Sequence, residues 1–225
     1  MSDTTATVGK ARGRFITLEG GEGAGKSTQQ KLLAAWLREQ GVTVVETREP
    51  GGSPGAEQIR DLLVTGEAGR WDALTETLLH FAARRDHVIK TIEPALARGN
   101  WVVCDRFVDS TLAYQGFGHE LGREPVEKLR ALVLDRLMPD LTLILDLPVA
   151  DGLERARQRA TSTTAAEDRY ETMDRAFHER LRRGFHEIAA DEPQRCILVD
   201  AAGTAESVAD KIRVIVAEKH EDTLS

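Results

Sequence analysis

Short runs of β-prone apolar residues alternate along this chain with longer stretches in which apolar residues recur at helical spacing. Five runs have the length and the flanking turn residues of strands: Phe15 to Leu18, Val42 to Glu46, Trp101 to Cys104, Leu141 to Leu145 and Cys196 to Val199. Strands that alternate with helices form a mainly parallel sheet, which helices cover on both faces. The pattern therefore predicts an α/β fold around a five-stranded sheet, with ligands bound at the carboxyl ends of the strands.

Several stretches between these runs carry the apolar repeat of amphipathic helices. One runs from Ser27 to Gln40, and the last closes the chain with an apolar stripe of Val208, Ile212, Ile215 and Val216. Five apolar residues fall on one face of another helix, which is predicted to kink or restart at Pro94: Leu74, Leu78, Phe81, Val88 and Ile92. We expect this face to pack into the core.

The predicted organisation is one domain with a polar N-terminal tail. Residues 1–13 are expected to be disordered, because Met1 to Arg12 lacks an apolar stretch, and residues 14–220 are expected to form a single domain. Ala160 to Ala166 is rich in Thr, Ser and Ala and has no apolar pattern, which is typical of a mobile lid. We predict that the lid covers about residues 155–172. The sequence has no run of roughly eighteen apolar residues that could span a bilayer.

Composition narrows the classes of protein and of partner. Of the 225 residues, 41% are hydrophobic and 30% are charged, which is typical of a soluble globular protein. The 37 acidic residues outnumber the 30 basic ones, and the net charge of −7 argues against broad binding to nucleic acid or to an anionic membrane. Cys104 and Cys196 lack the paired spacing of metal sites or disulfide frameworks, which favours a reducing cytoplasm. Cys104 is expected to be a core residue of its strand.

Residues Gly20 to Ser27 match the phosphate-binding motif G-x-x-x-x-G-K-[ST] and lie between a predicted strand and a predicted helix, as the motif requires. Glycines let successive N–H groups turn toward phosphate oxygens, and the start of the helix adds a favourable dipole. Lys26 would reach the β and γ phosphates of a nucleoside triphosphate. The alternative is a glycine-rich turn that carries a surface lysine. The predicted ATP-binding residues are Gly20, Gly21, Glu22, Gly23, Ala24, Gly25, Lys26, Ser27 and Thr28.

A magnesium site is predicted beside this loop. The Ser27 hydroxyl is the P-loop ligand of Mg²⁺, and Asp105 follows the third predicted strand, where a carboxylate can hold the ion through water. Glu19 is expected to help position the ion. An aspartate after a strand is alternatively an ordinary turn residue. The loop does not identify the phosphate acceptor, but a GTPase is disfavoured because the sequence has no N-K-x-D motif.

Further motifs resemble those of the thymidylate kinases, P-loop kinases that phosphorylate dTMP to dTDP. After the P-loop they are Thr47 to Gly52, Phe81 to Arg84, Asp105-Arg106 followed by Ser110 and Ala113 to Gly116, and Pro139 to Thr142 leading to Asp146. The resemblance runs from Phe15 to about Ile215. It implies the P-loop kinase fold, ATP and dTMP as substrates, Mg²⁺ as cofactor, and a homodimer that pairs through helices. The rival hypotheses are a kinase with another nucleoside or nucleotide acceptor, and a regulatory P-loop protein.

The resemblance assigns the monophosphate of dTMP to arginines. Arg106, from the Asp-Arg pair, and Arg60, from the helix after the Arg-Glu-Pro loop, correspond to phosphate-binding arginines of the family. Guanidinium groups suit phosphate because their forked donors match its oxygens. Arg48 either joins this anion pocket or forms an ion pair with Glu49. A regulatory P-loop protein has no use for a second anion pocket.

The resemblance also implies which residues contact the nucleoside. Arg84 corresponds to the arginine that faces a carbonyl of thymine, and Gln115 corresponds to a second contact with the base. Ser110 and Tyr114 are expected to line the nucleoside, although Tyr114 without the resemblance would be assigned to core packing. Glu22 is expected to accept a hydrogen bond from the sugar 3′-hydroxyl.

One position departs from the family pattern. Four residues before Arg84, where the family usually stacks a phenylalanine on thymine, the sequence has His80, and Phe81 follows it. His80 can stack as an imidazole, or Phe81 can turn toward the base. The alternative for Phe81 is the core, on the face of Leu74 and Leu78.

The lid is expected to supply the catalytic arginine. Between Asp151 and Arg183 the chain has eight arginines and seven acidic residues, a net of +1, so this segment is not a nucleic-acid-binding stripe. The P-loop carries no arginine, and Asp168 to Glu171 resembles the lid motif of the enteric-bacterial thymidylate kinases, which supply that arginine from the lid. A guanidinium there neutralises charge on the transferred group. Arg169 is the first candidate and Arg159 the second, and the alternative for each is a solvated helix residue.

Overall fold

The structure is a computed structural model that describes residues 11–65, 69–160, 170, 172–221 and 224, without the side chains of residues 159 and 160. Its sheet has five parallel strands in the order β2-β3-β1-β4-β5. They are β1 (Phe15–Gly20), β2 (Val44–Arg48), β3 (Trp101–Asp105), β4 (Leu141–Asp146) and β5 (Cys196–Asp200). The predicted fold class is confirmed, and every predicted strand end lies within two residues of the observed one.

Helices connect the strands. They are α1 (Lys26–Glu39), α2 (Pro54–Val64), α3 (Ala73–His87), α4 (Glu93–Ala97), α5 (Val108–Thr111), α6 (Arg123–Leu134), α7 (Val149–Ala160), α8 (Arg175–Asp191) and α9 (Ala205–Lys219). Two π-helical segments continue the helices before them: Val88–Ile92 joins α3 to α4, and Leu112–Gly118 extends α5. Pro94 is the second residue of α4, directly after the π-helical segment, and because it has no N–H the ladder of helical hydrogen bonds is interrupted there.

Both faces of the sheet are buried, because successive strand residues point to opposite sides. Phe15 belongs to the core on one face, together with Phe107, and Ile16 belongs to the core on the other face, which α1 and α9 cover. The central strand β1 lies between β3 and β4. In a sheet of this kind, the connections diverge at the centre and leave a crevice outside the carboxyl ends of the strands, where ligands bind.

One prediction about the core is wrong. Leu74 and Leu78 are 45% and 48% exposed, whereas the other three residues of the predicted face are buried. The first half of α3 instead buries Glu76 and Thr77. Helical spacing shows that apolar residues share a face, but it cannot show that the whole face meets the core.

Parts of the predicted tail and lid lie outside the described residues, namely 1–10, 161–169 and 171. Gly13, which ends the predicted tail, is buried, and its N–H donates to the Leu96 carbonyl at 2.9 Å. Cys104 is buried in β3, as predicted. Within the described ranges, no helix combines the length and the apolar character that crossing a membrane requires.

Candidate active site

The pairing of the central strands positions the phosphate-binding loop. The register places Leu18 of β1 beside Asp105 of β3. The loop that follows β1 and the Asp-Arg pair that ends β3 therefore meet at the carboxyl edge of the sheet. Because α1 starts at Lys26, a helix N-terminus closes the loop, as a phosphate site requires.

The ammonium group of Lys26 is buried against the loop. Its Nζ donates to the carbonyl oxygens of Gly20 at 3.2 Å and Gly21 at 2.8 Å. Burial and the nearby charge of Arg106 lower the pKa of Lys26 to about 8. A bound phosphate would favour the protonated form, because an opposite charge nearby stabilises it.

Backbone atoms of the P-loop and of α7 are in direct contact. Gly23 has a φ of +69°, and a Cβ atom there would lie 2.0 Å from the Gly152 carbonyl oxygen. A Cβ atom on Gly152 would lie 2.5 Å from the Glu22 carbonyl oxygen. Both positions therefore need glycine, and α7, whose C-terminal half belongs to the predicted lid, is packed directly on the phosphate loop.

The two main predicted magnesium ligands are brought together. Ser27 Oγ donates to Asp105 Oδ2 at 2.5 Å, so a hydroxyl and a carboxylate meet beside the P-loop. Such oxygen ligands suit Mg²⁺, which keeps several waters and is usually completed by substrate phosphates. In the part of the chain that the structure describes, no cluster of three or more His, Cys, Asp or Glu could hold a metal ion. The donor set therefore fits an Mg²⁺ ion that binds together with a nucleotide.

Glu19, the third residue predicted for magnesium, lies in β1, and its side chain is fully buried against the turn after β3. Its carboxylate accepts from the Phe107 N–H at 2.7 Å and from the Ser110 hydroxyl. Burial and the charge of Asp109 raise the pKa of Glu19 to about 8. These hydrogen bonds hold the turn that carries Arg106, so the structure gives Glu19 a positioning role for that arginine.

Arg106 connects the P-loop with the rest of the crevice. Its Nη1 donates to the Gly20 carbonyl at 3.1 Å and to Ser110 Oγ at 3.2 Å, and its Nη2 donates to Glu22 Oε1 at 2.9 Å. The guanidinium lies 4.8 Å from the centre of the Tyr114 ring. The backbone of Arg106 is left-handed, with a φ of +69°. Strained backbone of this kind clusters at functional sites.

Glu22 is kept ionised by its neighbours. Tyr114 donates its hydroxyl to Glu22 Oε1 at 2.6 Å, the oxygen that also binds Arg106. Burial by itself raises the pKa of Glu22, but the charges of Arg106 and Lys26 and the Tyr114 hydrogen bond lower it to about 2. An ionised carboxylate only accepts hydrogen bonds. Tyr114, which is 4% exposed, therefore belongs to both the core and the site.

Arg84 is buried and has one donor group left over. Its Nε donates to Glu49 Oε2 at 2.7 Å, and its Nη2 donates to the Phe107 carbonyl at 3.0 Å and to Thr111 Oγ1 at 2.9 Å. Nη1 is buried without a partner among the described residues. A buried donor without an acceptor is costly. Nη1 therefore marks a place where a ligand oxygen is expected.

Arg48 forms an ion pair, although with a different partner from the one predicted. Its Nη2 lies 3.0 Å from Glu57 Oε2, and both side chains are partly exposed. The predicted alternative, a pair with Glu49, is wrong. Glu49 is buried and instead binds Arg84 Nε at 2.7 Å and His87 Nδ1 at 2.9 Å.

Arg60 of α2 binds the loop between β2 and α2. Its Nη1 donates to the Pro50 carbonyl at 2.6 Å. Its positive charge is among those that lower the pKa of His80.

His80 and Phe81 have different surroundings. Phe81 is 2% exposed and belongs to the core, which agrees with the core alternative for this residue. His80 is half-buried, and its Nε2 lies 3.3 Å from the Tyr170 hydroxyl oxygen. Burial and nearby arginines, Arg84 foremost, lower the pKa of His80 to about 3. His80 is therefore a neutral imidazole at physiological pH.

Two residues of this region were not assigned a role from sequence. Glu76 is 1% exposed, and its Oε1 accepts from Gln115 Nε2 at 2.8 Å and from the Tyr170 hydroxyl at 2.6 Å. The Tyr170 ring packs edge-on against Tyr114, with ring centres 5.0 Å apart.

The position of Glu76 in the sequence could have indicated its place in the site. Glu76 lies four residues before His80 and eight before Arg84, both of which were predicted site residues of α3. This spacing places the three side chains on one face of the helix.

The candidate lid arginines fall outside what the structure describes. Arg169 lies in residues 161–169, and for Arg159 only the backbone, in α7, is described. Tyr170, which follows Arg169, lies within hydrogen-bonding distance of Gln115 and His80, so the chain reaches the crevice at this residue.

Comparisons with known proteins agree with this geometry. The family model described as thymidylate kinase matches residues 18–212. The chain is 52% identical over 219 residues to the thymidylate kinase of Bradyrhizobium sp. (strain ORS 278), covering 97% of this chain and 96% of the relative. It is 51% identical over 208 residues to that of Caulobacter vibrioides, covering 92% of this chain and 98% of the relative.

A solved structure supports the same assignment. The crystal structure of thymidylate kinase from Ehrlichia chaffeensis matches with a TM-score of 0.72 and 36% sequence identity, over 91% of this chain and 99% of that chain. The likeness therefore extends over most of this chain and almost all of that one. With the family model matching most of its length, the chain belongs to the thymidylate kinase family and has its P-loop kinase fold.

Proposed function

We propose that this protein transfers the γ-phosphoryl group of ATP to dTMP, giving dTDP and ADP, with both nucleotides head to head in the crevice. The observation that carries this proposal is the position of Arg106, whose guanidinium bridges the Gly20 carbonyl and the Glu22 carboxylate. A kinase that acts on a nucleotide needs a second anion site beside its P-loop. Identities of 52% and 51% to thymidylate kinases support the same reaction.

The P-loop is the proposed donor site. Backbone N–H groups of the loop and of the first turn of α1 bind the phosphates of ATP, and Lys26 neutralises the β and γ oxygens. The carbonyl contacts of Lys26 Nζ would be exchanged for phosphate oxygens when ATP binds. Ser27 and Asp105 would hold Mg²⁺, which when bound neutralises charge on those phosphates.

The 5′-phosphate of dTMP is assigned to the arginines of the crevice. Arg106 and Arg60 bind its oxygens, and Arg48 joins them from the edge of the loop. The ion pair of Arg48 with Glu57 does not oppose this role, because partly exposed pairs contribute little stability and are easily exchanged.

The sugar is assigned to the group around Glu22. Its carboxylate accepts from the 3′-hydroxyl, and Tyr114 and Ser110 line the nucleoside. The low pKa of Glu22 supports this role, because an ionised carboxylate is a strong acceptor for a hydroxyl.

The base is assigned to the space beside α3. Arg84 Nη1 donates to a thymine carbonyl, and Gln115 makes the second polar contact with the base. His80 stacks on the ring as a neutral imidazole. The burial of Phe81 in the core leaves His80 as the aromatic group at this position.

The proposed chemistry is in-line transfer. A 5′-phosphate oxygen of dTMP forms a bond to the γ-phosphorus while the bond to the β,γ-bridging oxygen breaks, so no covalent enzyme intermediate is needed. Lys26, Arg106 and a lid arginine neutralise the charge, and the lid excludes water. Arg169 is the first candidate for the lid arginine and Arg159 the second. An arginine in this role raises the rate by about 10³–10⁵.

Exposed leucines support a homodimer. Leu74 and Leu78 of α3 are 45% and 48% exposed, and Leu132 of the adjacent α6 is 80% exposed. Contact with a second copy would bury these side chains, and isologous pairing through such a face is the commonest form of homodimer.

We assign the protein to the cytoplasm. Both cysteines, Cys104 and Cys196, are free and buried, which supports a reducing compartment. Neither nucleic acid nor a membrane is among the proposed partners.

The reaction is tested by coupled ADP release with and without dTMP, and with dUMP, dGMP and thymidine as alternative acceptors. We expect the highest kcat/KM for dTMP, and a preference for any other acceptor contradicts the proposal. Arg169→Ala should lower kcat with little change in the KM of ATP, and Arg159→Ala should have a smaller effect on kcat. An effect of Arg169→Ala on affinity alone makes it a binding residue.

A further inference from the structure

Two rows of side chains face each other across the proposed base site. α3 carries Glu76, His80 and Arg84 at intervals of four residues, and the helical segment from α5 onward carries Thr111 and Gln115 at the same interval. Residues four apart share a helix face. Glu76 binds Gln115 at one end of the rows, at 2.8 Å, and Arg84 binds Thr111 at the other, at 2.9 Å. His80 lies between the two contacts in the α3 row.

The Gln115 amide has only one satisfactory orientation beside Glu76. Nε2 lies 2.8 Å from Glu76 Oε1 and 3.2 Å from the Tyr170 oxygen, so its two hydrogens have two acceptors. The single phenol hydrogen of Tyr170 is donated to Glu76 Oε1 at 2.6 Å. A reversed amide would set its oxygen against both the carboxylate and the phenol oxygen, with one proton available for two contacts.

Fixing the amino end of the amide also determines what the other end offers. Gln115 Oε1 is buried and, like Arg84 Nη1, has no partner among the described residues. Gln115 and Arg84 therefore leave one acceptor and one donor without a partner in the part of the chain that the structure describes. Thymine has an acceptor at O4 and a donor at N3–H, which complement this pair. Cytosine has a donor at its 4-amino group and an acceptor at N3, which is the opposite pattern.

We propose that Glu76 is a positioning residue that determines base specificity: by binding the Gln115 amino group, it presents the amide oxygen to N3–H of thymine and excludes cytosine. This inference rests on the proposed function, in which Arg84 and Gln115 contact the base. Glu76 itself acts through Gln115. A site built to hydrogen-bond one pattern of polar groups rejects the other because its own buried groups would then be left unpaired.

The test compares dTMP with dCMP in wild type and in Glu76→Gln. A neutral amide both donates and accepts, so Gln115 can reverse and offer its amino group to N3 of cytosine. We measure the KM of dTMP and the inhibition constant of dCMP as a competitor of dTMP. The ratio of the inhibition constant of dCMP to the KM of dTMP is expected to fall about tenfold in Glu76→Gln. A change of this size corresponds to one unpaired buried polar group. The matched control is Glu46→Gln, which removes a carboxylate of β2 that is paired with Arg38 of α1. This variant should leave the ratio unchanged.

If Glu76 had only a structural role, its substitution would weaken the binding of dTMP and of dCMP by the same factor. An unchanged ratio therefore overturns the proposal. Circular dichroism shows whether Glu76→Gln folds. If it does not, Glu76→Asp retains the charge but is one methylene too short to hold the amide, and the same fall in the ratio is expected. An unchanged ratio in folded Glu76→Asp also overturns the proposal.

Gln115→Ala separates this inference from the function on which it rests. If Gln115→Ala leaves both the KM of dTMP and the ratio unchanged, the proposed contact between Gln115 and the base is contradicted. If Gln115→Ala lowers the ratio but the Glu76 variants do not, the base contact stands and only the role of Glu76 is overturned.

Discussion

Arg106 Nη2 lies 2.9 Å from Glu22 Oε1, and this ion pair joins the turn after β3 to the P-loop at the centre of the crevice. Tyr114 donates to the same carboxylate oxygen at 2.6 Å. Because the P-loop is the proposed site of one nucleotide and Arg106 contributes to the site of the other, the pair links the two sites. Changes in either partner are therefore expected to affect both substrates.

Removing either central cation should nearly abolish activity. We expect Lys26→Ala and Arg106→Ala each to lower dTDP formation by more than tenfold, which corresponds to at least about 1.4 kcal/mol of barrier. Arg106→Lys should be similarly impaired, since one ammonium cannot replace a guanidinium that bridges Gly20, Ser110 and Glu22. The assay is initial-rate dTDP formation, with circular dichroism to confirm folding. A folded Lys26→Ala or Arg106→Ala that keeps more than a tenth of the rate contradicts the assigned role.

Burial of Glu19 predicts a pH dependence of stability. Its pKa is raised from 4.5 to about 8 in the folded state, so between these pH values the folded chain holds a proton that the unfolded chain has released. This contribution to the free energy of unfolding is fully present below pH 4.5 and decreases as pH rises to about 8. Glu19→Gln removes it.

The check is the thermal midpoint of wild type and Glu19→Gln at pH 5 to 9. We expect the thermal midpoint of Glu19→Gln to rise relative to that of wild type as the pH increases to 8. Above pH 8 the difference between the two midpoints should level off. Two parallel curves would contradict the pKa of Glu19 as the cause.

The low pKa of His80, about 3, predicts that this residue does not titrate in the activity range. His80→Phe should therefore keep the wild-type shape of the kcat/KM profile for dTMP between pH 5 and pH 8. His80→Ala should raise the KM of dTMP roughly two- to tenfold, because an aromatic stacking contact is worth about 0.5–1.5 kcal/mol. A wild-type step near pH 6 that disappears in His80→Phe would show that the imidazole is charged.

The contact between Gly152 and the P-loop predicts an effect of unusual sign. Glycine to alanine inside a helix normally stabilises it by about 0.5–1 kcal/mol. Here the new Cβ would lie 2.5 Å from the Glu22 carbonyl oxygen, so Gly152→Ala should lower both the thermal midpoint and kcat/KM. Asp151→Ala, at the exposed neighbouring position, is the control and should change neither. A more stable, fully active Gly152→Ala would refute the close contact.

The exposed leucines predict a dimer that a charged substitution at the interface dissociates. Leu78→Glu should convert the protein from a dimer to a monomer in light scattering coupled to size exclusion, because a buried unpaired carboxylate is costly. Leu198→Glu, at an exposed leucine of β5, should leave the dimer intact. A monomeric wild type, or a dimer that tolerates Leu78→Glu, excludes this face as the interface.

Much of the site was predictable because it depends on local rules. The glycines before Lys26 have fixed spacing, and Asp105 and Arg106 follow an apolar run that only a strand explains. Which side chains pair in the crevice was not predictable in the same way. Glu49, beside Arg48 in sequence, lies in the loop after β2 and binds Arg84 of α3, because the packing of α3 against this loop brings the two groups together.

By itself, the sequence determined the α/β class, the strand positions and the phosphate-binding loop, because each of these is encoded in a short window of residue types and spacings. Only the tertiary structure decided that Leu74 and Leu78 are exposed, that Glu19 supports the turn of Arg106, and that Glu76 holds Gln115. The last two contacts join residues 88 and 39 positions apart, and such approaches are determined by how whole elements pack.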